Sequence, residues 1–94
     1  MRIFRLLQRR WYNRIGFFVL NEGGFNAANA SVSHISEDKS ISNDIFVAAN
    51  NRPLGDVAQS ITFYDNKAFI VVNNSQKIEV VERNTFKNLS TIQN

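Results

Sequence analysis

From Gly16 onward, short apolar blocks alternate with clusters of turn residues, which is the period and punctuation of β-structure. Residues 16–20 (GFFVL) form an apolar run that Asn21, Glu22, Gly23 and Gly24 end with turn chemistry. Residues 30–35 alternate weakly, residues 36–39 are a polar turn, and residues 41–49 read as a third extended segment. Residues 50–56 (NNRPLGD) are a loop punctuated by Pro53 and Gly55. The second half then predicts four strands at 57–64, 67–72, 77–82 and 86–92, separated by turns at 65–66, 73–76 and 83–85. In the third of these, Ile78 and Val80 share one face and Glu79 takes the other.

The two halves repeat. Phe17-Phe18-Val19-Leu20-Asn21 lies over Phe69-Ile70-Val71-Val72-Asn73 at an offset of 52 positions, and Val32 and Ile35 lie over Ile78 and Val81 at an offset of 46. The difference places six additional residues in the turn after the first apolar strand. Four short strands per unit of roughly 40 residues is the grammar of a β-propeller blade. The expected fold is therefore all-β, a β-propeller fragment of about two antiparallel four-stranded blades. The second blade is complete (57–92), and the first (16–49) carries only its last three strands; its innermost strand would have to come from Ile3–Ile15 or from elsewhere in a longer protein.

Residues 1–15 differ. Ile3, Phe4, Leu6, Leu7, Trp11 and Ile15 recur near helical spacing between Arg2, Arg5, Arg9, Arg10 and Arg14. The segment is read as a basic leader that is unstructured or a short amphipathic helix. It is read as a membrane-surface anchor, or as an accidental leader from a truncated or misplaced gene start, or as a stretch that merely covers an exposed edge. The five arginines account for the net charge of +3, because the remaining Lys39, Arg52, Lys67, Lys77, Arg83 and Lys87 face eight acids. The basic balance is thus local and predicts no nucleic-acid partner. No run approaches the roughly 20 apolar residues of a membrane helix, and Gln8-Arg9-Arg10 interrupts any secretory apolar core.

With 44% hydrophobic and 20% charged residues the composition is globular. The absence of cysteine excludes disulfides and thiolate metal sites, and no lipid-modified cysteine is present in the chain as written. His34 is the sole histidine and lies over Val80, an ordinary strand position. No Ser/His/Asp set has plausible partners, so no catalytic residue and no metal site are assigned.

In blade topology the loops 21–29, 50–56 and 73–76 share one rim, where binding residues concentrate. Candidate ligand contacts are Asn21, Glu22, Phe25, Asn26, Arg52, Asp56, Gln59, Asn73 and Asn74. The asparagines offer donors and acceptors, Phe25 an aromatic face, and Arg52 a planar cation. For Asp56 the stronger expectation is that its carboxylate accepts backbone N–H groups and fixes its loop.

The strings FFVLNEGGFNAANASVSHIS and RPLGDVAQSITFYDNKAFIVVNNSQKIEVVERNTFK, with the elements LNEG and LGDVAQS, resemble bacterial surface propellers of the YVTN/YncE-like class. Within it they are most similar to the cell-surface cobalamin-binding lipoproteins that partner outer-membrane vitamin B12 transporters. The resemblance covers residues 16–94. It implies non-catalytic binding of a small polar ligand such as cobalamin, with no resident cofactor. The implied location is the cell surface, outer membrane or periplasm, and the implied partner is a TonB-dependent transporter. Members of the class are several times longer, which implies that this sequence is an N-terminal portion. The alternatives are a propeller-class enzyme (lactonase or quinoprotein-like) with its catalytic residues elsewhere, or a structural surface protein. A two-blade piece is expected to be weakly stable or to self-associate through uncovered faces.

Overall fold

The computed structural model describes residues 2–11 and 14–93, with side-chain surroundings from Gly16 to Gln93. Eight strands form two antiparallel four-stranded sheets, each in simple sequential order. The first comprises β1 (Arg2–Trp11), β2 (Arg14–Asn21), β3 (Ser31–Ser36) and β4 (Ile41–Ser42). The second comprises β5 (Val57–Tyr64), β6 (Lys67–Asn73), β7 (Lys77–Glu82) and β8 (Asn88–Gln93). One short helix, α1 (Ile45–Asn50), stands between the sheets in sequence. The described residues are thus mostly β, with one six-residue helix.

Three expectations are corrected. The first concerns residues 1–15, read as a leader, helical or unstructured. Residues 2–11 instead pair with β2, from Arg2 opposite Leu20 to Arg5 opposite Phe17 and again from Arg10 opposite Ile15. A helix of this length is marginal by itself, whereas β2 offers a full row of backbone partners. The first sheet therefore has four strands and not three. The surroundings of Arg2, Arg5, Arg9, Arg10 and Arg14 lie outside the described residues.

The second correction is at residues 41–49, read as one extended segment. The strand stops after Ser42, Asp44 takes a left-handed φ of 50°, and α1 begins. Helical bonds run from the Ala48 N–H to the Asp44 carbonyl and from the Asn51 N–H to the Val47 carbonyl. Burial overrides the extended preference: Ile45 and Phe46 are inserted into the core, and the single turn of helix aims both inward. The last strand likewise starts at Asn88 and not at Phe86. Phe86 has a φ of 62°, and its N–H donates to the Glu82 carbonyl at 2.7 Å, which makes it part of the β7–β8 turn.

The third correction is to the repeat register. Leu20 stands opposite Val32 and Phe18 opposite His34. In the second sheet Val71 stands opposite Ile78 and Phe69 opposite Val80. Residues directly opposite share a face. An offset of 52 would send Leu20 to Val72, whose partner is Lys77 and not Ile78. An offset of 51 in the first strand with 46 kept in the second restores both faces, and so does 52 kept in the first with 45 in the second. Under the former, Phe18 corresponds to Phe69, Leu20 to Val71, Val32 to Ile78 and His34 to Val80. Sequence similarity could not choose, because both runs are apolar on both faces.

The core lies between the sheets. Phe18, Leu20 and Val32 of the first sheet meet Ala58, Ile61, Ala68, Ile70, Val72 and Val81 of the second, and Ile45, Phe46, Leu54 and Phe86 fill the gap. The Phe18 ring is central: its centroid lies 4.9 Å from Phe63, 5.7 Å from a stacked Phe86 and 4.9 Å from the His34 ring, which meets it edge-on. Phe18→Ala is expected to cost about 3–5 kcal/mol. The measurement is urea unfolding, and the expected result is a lower midpoint with an unchanged slope.

Candidate functional site

The segment joining the sheets runs the length of the molecule. At one end, Asn50 donates from Nδ2 to the Phe46 and Phe86 carbonyls at 3.0 Å each, and its Oδ1 accepts the Asn88 N–H at 2.8 Å. That end lies beside the β7–β8 turn. At the other end, the Gly55 carbonyl accepts the Ala30 N–H at 3.1 Å, and the Asp56 N–H donates to Ser75 Oγ at 3.1 Å. Only the 55–56 end therefore reaches the rim formed by the loops 22–30 and 73–76. Asn50 and Arg52, expected on that rim, are spent elsewhere.

At the rim, three of the candidate residues converge. The Asp56 carboxylate accepts the Asn26 N–H at 2.9 Å and the Ala28 N–H at 3.1 Å, and it also accepts a bond from Asn74 Nδ2. Asn74 Nδ2 also reaches Asn26 Oδ1 at 2.9 Å. Asp56 accepts backbone donors as expected, but the loop it fixes is the neighbouring 22–30 and not its own, and it ties together both turns of the rim. Burial alone would raise its carboxyl, but the Ala28, Asn74, Asn26 and Ala27 donors outweigh that and hold it below the usual value. Ala28 keeps a left-handed φ of 54°, uncommon for a residue with a Cβ, where its N–H meets this carboxylate. Gly23 has a φ of +83°, and a Cβ there would stand 2.7 Å from the Ala30 nitrogen and 2.8 Å from the Asp56 carbonyl oxygen, so only glycine fits.

The remaining candidates are placed as follows. Phe25 stands 72% exposed on the loop that Asp56 holds. Asn21 donates from Nδ2 to the Ser31 and Ser33 hydroxyls at 3.0 and 3.3 Å, at the rim end of the first sheet. The Glu22 carbonyl accepts the Ala58 N–H at 3.0 Å. Gln59 is exposed at the β5 irregularity between Ala58 and Ser60. Asn73 is exposed, and its Oδ1 accepts the Asn74 N–H at 2.9 Å. A cleft of about 430 Å³ opens beside the rim, with Val71, Ile78 and Ile92 as its apolar part and Asn73, Gln76 and Gln93 at its edge.

Arg52, with its side chain 40% exposed, is anchored by a residue that the strand pattern did not single out. Glu79 is fully buried on the face of β7 that meets the first sheet. Its carboxylate accepts both Arg52 guanidinium nitrogens (2.8 and 3.2 Å), Lys77 Nζ (2.9 Å), Asn88 Nδ2 (2.8 Å) and Thr91 Oγ1 (2.6 Å). The guanidinium also lies 5.0 Å over the Phe46 ring. Burial raises the Glu79 carboxyl, but the bonds from Arg52, Thr91 and Lys77 win and bring it down to about 2. The sequence signal was present in outline: one acid amid Ile78, Val80 and Val81 in a strand apolar on both sides, and one arginine in the preceding loop. Among the described residues, no His, Asp and Glu groups come together as a metal site, and no helix is long and apolar enough to cross a membrane.

The class that fold and site define is an all-β protein of two serial antiparallel sheets locked at one rim by loop contacts. Over residues 15–94 the chain matches the family described as Domain of unknown function (DUF5074), and it belongs to that family. No curated protein matches the chain.

Two measurements check the electrostatics. Glu79 and Asp56 both have carboxyls lowered by folding, so their contribution is complete above the unfolded value (4.5 for Glu79) and is lost as pH falls toward the folded one, about 2 for Glu79. Urea midpoints are therefore expected to fall between pH 5 and pH 2, and Glu79→Gln is expected to flatten most of that fall while lowering the midpoint at neutral pH. Asp56→Ala is expected to speed amide exchange at Asn26 and Ala28 about tenfold or more.

Proposed function

We propose that the two sheets are successive blades of a β-propeller and that the chain captures a polar ligand without turning it over. The blade reading is supported when the halves are aligned at offsets of 51 and 46. The first sheet meets the second through Phe18, Leu20, Val32 and His34, and in that alignment the corresponding face of the second sheet, Phe69, Val71, Ile78 and Val80, points away from the first. A sandwich would bring corresponding faces together. Blades in series turn them the same way around a ring.

The binding reading is supported by the rim. The bonds to Asp56 hold the loop 22–30 in place and leave Phe25 displayed to solvent, with Asn73 and Gln76 edging a cleft nearby. A fixed aromatic face with amides beside it suits a large polar ring that carries its own amides. Cobalamin is the ligand of this kind that the resemblance implies. In that setting the protein would sit at a bacterial cell surface and hand its ligand to an outer-membrane TonB-dependent transporter.

The test is calorimetric titration of the chain with cyanocobalamin. Binding at or below roughly micromolar Kd is expected, and Phe25→Ala is expected to weaken it about tenfold. Absence of binding heat with the chain at about a hundred micromolar would overturn cobalamin capture.

A further inference from the structure

The loop 22–30 grips an anion with its own backbone. Asn26 and Ala28 have left-handed φ values of 62° and 54°, and Ala27 between them does not. This alternation turns the N–H groups of Asn26 and Ala28 toward one point, which makes a nest, a concavity of backbone donors that takes an oxyanion. The occupant is the Asp56 carboxylate. One of its oxygens accepts from Ala28 at 3.1 Å, and the other accepts from Asn26 at 2.9 Å and from Asn74 Nδ2. The Ala27 N–H is used inside the loop, on the Gly24 carbonyl at 2.9 Å. Two backbone N–H groups and one side-chain amide thus hold two oxygens of one charged group. Carboxylates and phosphates both present such a pair of oxygens.

Three features go beyond the fixing of a loop. Ala28 keeps a left-handed backbone although it carries a Cβ, and strain of this kind clusters at ligand clamps and switches. Asn26, Ala27, Ala28 and Asn74 are all exposed, so the nest lies at the surface. Phe25, the ring displayed at the rim, immediately precedes the first donor. We propose that the nest anchors an oxyanion carried by the ligand of the rim, a carboxylate or a phosphate, and that Asp56 fills this place until the ligand displaces it. The proposal rests on the binding reading of the rim given above, and adds a charged group to the ligand. Asp56 is tethered beside its donors, so a free anion competes with it at a disadvantage. A ligand that also lies against Phe25 has a second contact to offset that. Two anions side by side repel, so the displaced carboxylate turns to solvent as the ligand enters.

The probes are sodium acetate and sodium phosphate, titrated at constant ionic strength against sodium chloride, with the amide resonances of Asn26 and Ala28 as the readout. In Asp56→Ala both amides are expected to shift saturably, with half-saturation at roughly millimolar concentration, and to exchange more slowly once saturated. In the wild-type chain the same end point is expected at about tenfold higher concentration, because Asp56 competes. Asp56→Asn keeps an uncharged acceptor in the nest and is expected to fall between the two; it replaces Asp56→Ala should circular dichroism show that variant unfolded. Ala28→Pro added to Asp56→Ala removes one donor and forbids the left-handed φ, and is expected to abolish the response. The tighter of the two probes assigns the ligand's group. A response to acetate and phosphate no greater than to chloride in the Asp56 variants would overturn the anion site. Saturation in the variants with no shift of the wild-type amides at a roughly hundredfold higher concentration would overturn the displacement of Asp56. Neither outcome depends on cyanocobalamin: its titration decides the binding reading, and these salts decide the nest.

Discussion

The packing of one sheet on the other, centred on the Phe18 ring, sets what every other part of the chain must do. Four strands present two faces, and a chain of 94 residues with two sheets covers one face of each by their mutual contact. Phe18 touches Phe63 and Phe86 of the second sheet and His34 of its own, so it joins three strands and a turn at one point. The helix α1 is a consequence of this. Six residues cannot sustain a helix alone, but Ile45 and Phe46 fill volume between sheets that a flat strand could not reach.

Laying a polar connection between two sheets has a cost, and Glu79 offsets it. The segment from Asn50 to Asp56 carries backbone groups and the Arg52 charge past an apolar interior. A buried carboxylate is expensive unless charged partners and hydrogen bonds satisfy it. Glu79 has Arg52, Lys77, Asn88 and Thr91 around it, drawn from the connection, its own strand and the adjacent strand. An apolar residue there would leave Arg52 without its anchor. The network fixes the path of the connection more than it adds stability, which is the better-attested use of buried charge.

The rim follows from that path. Because the connection ends at Gly55 and Asp56 beside the β2–β3 loop, one carboxylate gathers a donor 30 positions before it, at Asn26, and another 18 positions after it, at Asn74. The loop so held displays Phe25, with the cleft of the second sheet beside the rim.

The alternation of apolar and polar residues, with Asn, Gly and Asp at the breaks, determined by itself that the chain is all-β, where most strands fall, and that two units repeat. Those signals are local: period two and turn chemistry act within a few residues. It also marked Asp56 as a loop-fixing carboxylate, because an Asp after a Gly in a turn has few other roles. Tertiary structure decided the rest. Residues 2–11 became a strand because β2 offered partners, although their spacing was helical. Residues 45–50 became a helix because the gap between sheets needed their bulk. Arg52 and Glu79 met across 27 positions, a pairing that no local pattern encodes. The facing of the two apolar runs was settled only by register, because side chains that are apolar on both sides of a strand carry no record of which side will be covered.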